Sequence, residues 1–71
     1  MTYLVKFITD HTCNYFMYIT LSLEHSGKTK QELTKMLLQH PIISNEIRRK
    51  KEITKIEFYL LQRDLTVELD R

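Results

Sequence analysis

One cysteine, one glycine, one proline and no tryptophan occur in the 71 residues. With Cys13 alone there is no internal disulfide, so the usual support of a small secreted domain is missing and a reducing, cytoplasmic setting is expected. A lone Gly27 and a lone Pro41 leave no material for a flexible linker, and neither an internal repeat nor a low-complexity segment is present. No apolar run reaches membrane-spanning length. The N-terminal stretch Met1 to Ile8 is short and broken by Lys6, so it reads neither as a signal segment nor as a span, and no membrane partner is expected.

What is present is enough for a core. Apolar residues make up 42% and charged residues 28%, a balance that excludes disorder and points to one folded domain over residues 1–71. A chain of this length lies near the lower limit at which burial offsets chain entropy, so association with a partner or with itself is the remaining source of support. Net charge is only +2, but it is uneven: residues 28–55 hold eight Lys or Arg against three Glu, and the flanks are mildly acidic.

The clearest segment is Tyr15 to Glu24. Met17, Ile19, Leu21 and Leu23 fall on one side of an extended strand and Phe16, Tyr18, Thr20, Ser22 and Glu24 on the other, which reads as a central strand with a committed core face. Tyr3 to Thr9, aromatic and β-branched, is a strand before it, and the polar residues Asp10 to Asn14 join the two as a hairpin. Gly27 marks a turn. Thr29 with Glu32 has the form of a capping box opening a helix, in which Leu33, Met36, Leu37 and His40 recur at helical spacing until Pro41 ends it.

For residues 42–51 the expectation is a helical turn or two capped by Ser44, with Glu46 and Lys50 as an i,i+4 pair; an irregular crossover pinned by Ile42, Ile43 and Ile47 is the alternative. Ile56, Phe58 and Leu60 then alternate with Glu57, Tyr59 and Leu61 as a strand. Gln62, Arg63 and Asp64 read as a turn, and Leu65, Val67 and Leu69 as the core side of a further strand. The order is ββα(α)ββ: an α+β domain with a small antiparallel sheet of three to four strands and one main helix packed on one face.

Catalytic, cofactor and metal sites are not expected. Ser26-Gly27-Lys28-Thr29 looks like the end of a phosphate-binding P-loop, but the pattern needs glycine where Ser22 stands, and a parallel nucleotide-binding sheet does not fit this length. His11, Cys13 and Asp10 are ligand types for zinc without the two clustered pairs of a structural site, and His25 and His40 lie elsewhere. His11 and Cys13 likewise lack a third group to orient a catalytic base.

Two surface features remain. Arg48, Arg49, Lys50 and Lys51 form a basic run, reinforced by Lys55, Lys28, Lys30 and Lys35. Phe16, Tyr18 and Tyr59 share the sheet face opposite the helix, an apolar patch suited to an interface unless another segment folds over it. The expected function is therefore a non-enzymatic protein-binding module, with Phe16, Tyr18 and Tyr59 as anchors and Arg48 to Lys51 steering an acidic partner. The partner is another protein or, through the face or an edge strand, a second copy in a homodimer. The alternative is a small nucleic-acid-binding protein whose cations contact phosphates and whose aromatics stack bases. In style the chain is similar to the small accessory proteins that phages and mobile elements make to inhibit host enzymes or defence complexes. That likeness is one of composition and carries over no residue.

Overall fold

The structure is a computed structural model, which describes residues 2–9, 14–20, 27–60 and 63–70. Six elements follow in the order β1 (Thr2–Thr9), β2 (Tyr15–Thr20), α1 (Lys30–Leu38), α2 (Pro41–Arg49), β3 (Ile53–Leu60) and β4 (Arg63–Glu68). The strands form one antiparallel sheet in the order β2-β1-β3-β4. The ββα(α)ββ order and the small α+β architecture are as expected, with four strands.

Two expectations about the architecture change. The strand from Tyr15 is an edge, not a central strand: β1 and β3 occupy the middle, because β1 pairs with β2 on one side and with β3 on the other. Alternation along a strand reports which face is buried, not how many neighbours the backbone has. The helical layer, in turn, is not one main helix but two of nine residues each.

Pro41 separates the two helices and starts the second. The residue before it, His40, is extended at ψ 133°, which stops α1. Pro41 then takes the first position of α2, where its missing N–H costs nothing. His40, expected inside the first helix, is the cap of the second: its Nδ1 accepts the Ile42 N–H at 3.2 Å. Ser44 is not a cap but an interior residue, its N–H donating to the His40 carbonyl at 2.8 Å. The capping box of α1 is as read: Thr29 Oγ1 accepts the Glu32 N–H at 3.1 Å, and Glu32 Oε1 accepts the Thr29 N–H at 3.3 Å. Gly27, at φ +77°, makes the turn ahead of it.

One face of the sheet carries Tyr3, Val5 and Phe7 of β1, Ile19 of β2, Ile56, Phe58 and Leu60 of β3, and Leu65 and Val67 of β4. These are buried against Leu33 and Leu37 of α1 and Ile43 of α2. Met17 and Tyr15 pack at the margin. Leu21 and Leu23 lie outside the described residues. Arg63 and Asp64, expected in a turn, are strand residues, with Leu60 opposite Arg63. A register shift interrupts β1 against β3, so that Ile8 faces Lys55 and Thr9 faces Ile53, and Thr54 is the extra residue. This bulge lets Ile53 and Ile56, three positions apart, both reach the core, and so β3 begins earlier than its alternation indicates.

Candidate functional site

The other face of the sheet is covered by no described element. Strand register sets its side chains in rows: Tyr18, Leu4, Tyr59 and Asp64 across the sheet, then Phe16, Lys6, Glu57 and Thr66, then Ile8, Lys55 and Glu68. Tyr18 is 73% exposed, Phe16 55% and Tyr59 38%; Leu4 is half-buried between Tyr18 and Tyr59, and Ile8 is half-buried one row beyond Phe16. The three aromatics singled out from alternation therefore do share one open face. Leu61, expected on the same side of the strand as Tyr59, lies outside the described residues.

Polar groups on this face are tied to the aromatics. Lys6 Nζ stands 5.6 Å from the centre of the Phe16 ring, a cation–π distance. Tyr59 donates its hydroxyl proton to Glu57 Oε1 at 2.9 Å. That bond to a carboxylate favours the neutral phenol and, with some desolvation, holds the Tyr59 pKa above its ordinary value. The charges in the rows are Lys6 and Lys55 against Glu57, Asp64 and Glu68, so the face is apolar toward β2 and acidic toward β4.

The basic run lies in the other layer. Arg48 and Arg49 end α2, Lys50 caps it, and Lys51 is exposed in the turn that follows. Arg48 Nη2 donates to Ser44 Oγ at 3.4 Å and Arg49 Nη2 to Glu46 Oε1 at 2.7 Å, while Lys50 Nζ sits 4.2 Å from the Tyr15 ring centre. Arg48, Arg49, Lys50 and Lys51 are thus not brought together with Phe16, Tyr18 and Tyr59 on one surface. Of the reinforcing lysines, Lys55 is on the open face and Lys28, Lys30 and Lys35 belong to α1 and its approach.

A polar cluster escaped the sequence reading. Glu46 is buried on α2, and both its oxygens are used: Oε1 by Arg49 and Oε2 by the Tyr15 hydroxyl at 2.5 Å. The Tyr15 ring also stacks on Phe7, with centroids 5.0 Å apart. The Tyr15 hydrogen bond is the largest influence on Glu46 and holds its carboxyl below the usual range, with Arg49 and Lys50 adding to it. For Tyr15, burial first and the Glu46 bond second push the phenol above its ordinary value. The parity of Tyr15 with Met17 and Ile19 signals its core side. Nothing local signals the burial of Glu46, because a helical glutamate beside arginines reads as solvated.

Among the described residues no three His, Cys, Asp or Glu side chains gather in a metal-binding group, and no helix is long and apolar enough to cross a membrane. His11, Cys13 and His25 lie outside the described residues. A shallow hollow along α1, lined by Thr29, Lys30, Gln31, Thr34, Lys35 and Leu38, presents one helix flank. Compared with protein-family models, with curated proteins and with solved structures, the chain matches none.

Proposed function

We propose that the chain is a non-enzymatic protein-binding module that works through the open face of its sheet. The observation that carries this reading is the exposure of Phe16, Tyr18 and Tyr59 around Leu4 on one uncovered surface. Aromatic side chains bury much area for few rotatable bonds, which suits them to anchor a partner. Lys6, Lys55, Glu57, Asp64 and Glu68 form a polar margin of mixed sign around them, the pattern of an interface rim. Arg48 to Lys51, in the opposite layer, act at most as a long-range field that steers an acidic partner. Occlusion of a partner's surface, the mode of a small inhibitor, needs nothing more than such a face.

The experiment is affinity purification of the wild-type chain from its source cell with mass spectrometry, beside a variant carrying Phe16→Ala, Tyr18→Ala and Tyr59→Ala. The expected result is a protein partner lost in the variant while circular dichroism is unchanged. Equal recovery of that partner by both chains overturns the reading.

Nucleic-acid binding is the second reading, favoured by the same exposed aromatics on an antiparallel sheet, where bases stack. The mixed charge of the face and the separation of the basic run from it weigh against phosphate tracking. A gel shift with single-stranded RNA or DNA that weakens steeply between low and physiological salt is the outcome that selects it.

A further inference from the structure

The two edges of the sheet are unlike. β4 carries exposed Asp64 and Glu68, and charge along an edge strand discourages the addition of another strand. β2 reads Tyr-Phe-Met-Tyr-Ile-Thr, without a charge, a glycine or a proline. Its register with β1 runs unbroken from Thr20 opposite Thr2 to Tyr15 opposite Phe7, so no bulge turns it aside; among the described residues the register shift lies between β1 and β3. Among the described residues nothing pairs with its outer side.

We propose that β2 is the seam for a second copy of this chain, two β2 strands pairing antiparallel about a two-fold axis to join both sheets into one. A two-fold axis perpendicular to a sheet makes identical edge strands antiparallel and keeps both helical layers on one side. Side-chain alternation then restricts the register, because only residues of like parity can stand opposite without turning a core face outward. Either Met17 lies on the axis, with Phe16 opposite Tyr18 of the second copy, or Tyr18 faces Tyr18. Both put aromatic against aromatic on the open side, and the core-side neighbours Tyr15, Met17 and Ile19 are apolar as well; such cross-strand pairs stabilise a sheet.

Charge selects this seam over the alternatives. Pairing β4 with itself gathers two copies of Asp64 and Glu68 along one line, four carboxylates in all. Pairing β2 with β4 is head-to-tail and does not close, which leads to filaments rather than a dimer. The proposal rests on the edge and not on the open face as partner site, although it doubles that face by bringing Phe16 and Tyr18 of both copies together.

Sedimentation equilibrium over a wide concentration range tests it, on the wild type and on Tyr18→Lys, Phe16→Lys and Tyr59→Lys, with circular dichroism on each. The expected result is a wild-type monomer–dimer equilibrium whose dissociation constant rises about tenfold or more in Tyr18→Lys and Phe16→Lys. Tyr59→Lys, two strands from the seam, leaves it unchanged. Amide exchange that slows within β2 as concentration rises is the matching local signature. A wild type that stays monomeric throughout overturns the proposal, as does a dimer weakened by Tyr59→Lys as much as by Tyr18→Lys, since that places the contact on the face.

Discussion

The hydroxyl of Tyr15 donates to Oε2 of Glu46 at 2.5 Å, and this bond fastens the edge strand β2 to helix α2. The tyrosine ring is held from two sides, stacked on Phe7 and lying under the Lys50 ammonium. Tyr15→Phe leaves the ring contacts in place and takes one partner from a buried carboxylate. The expected loss is about 2 kcal/mol, from the usual worth of a hydrogen bond to a charged group. Urea unfolding of the two chains reads it as a lower midpoint with an unchanged slope. An equal midpoint shows that the bond adds nothing to the fold.

Acid should weaken the fold through Glu46 and Glu32, whose folded-state pKa values both lie below the ordinary 4.5, Glu46 through Tyr15 first and Glu32 through the Thr29 hydroxyl first. A carboxylate depressed in the folded state contributes fully above its unfolded value and loses that contribution as pH falls through the folded one. The steep acid loss is therefore expected below about pH 4.5, and Glu46→Gln makes it shallower.

Base acts on Tyr15 with the opposite sense. Its phenol is raised above 10.0 in the folded state by burial and by Glu46, so its contribution is whole below that pH and is lost as pH climbs toward the folded value. Thermal unfolding scanned upward from about pH 9 is expected to fall less steeply in Tyr15→Phe than in the wild type.

Gly27→Ala isolates a backbone cost. The residue sits at φ +77°, and an added Cβ meets nothing within 4 Å, so crowding plays no part. The expected destabilisation is about 1 kcal/mol, set by the left-handed conformation alone, and smaller for Gly27→Asn, since asparagine tolerates that region.

Phe58 and Phe16 have the same side chain on opposite faces of the sheet. Phe58 is fully buried and Phe16 is 55% exposed. Phe58→Ala is expected to cost about 3–5 kcal/mol and leave little folded protein, while Phe16→Ala stays within about 0.5 kcal/mol of the wild type. A large loss for Phe16→Ala means that another part of the protein covers the open face.

Most of the element order was legible because it rests on local rules. Thr29 and Glu32 set the start of α1, Pro41 its end, and alternation from Tyr15 separated Phe16 and Tyr18 from Met17 and Ile19. What was hidden depends on contacts between distant residues. The edge position of β2 follows from β1 choosing β3 as its second neighbour, which no pattern within β2 encodes. Ile53 was obscured by the bulge at Thr54, which breaks the two-residue period. Glu46 was obscured because its burial depends on Tyr15, 31 positions away. The open aromatic face was visible in alternation alone; the separation of Arg48 to Lys51 from it required the position of α2.

The central place of β1 also has a consequence for the order of events at synthesis. β1 leaves the ribosome ahead of the other strands of the sheet and is one of the two most enclosed, yet its second neighbour, β3, comes some fifty residues later, Leu4 lying opposite Tyr59. Until then the β1–β2 hairpin has the two helices to cover Tyr3, Val5 and Phe7 but lacks the strand that pairs with the second side of β1. Closure of the sheet therefore waits on β3, and a β1-to-β3 loop of that length makes its folding slow for so small a domain.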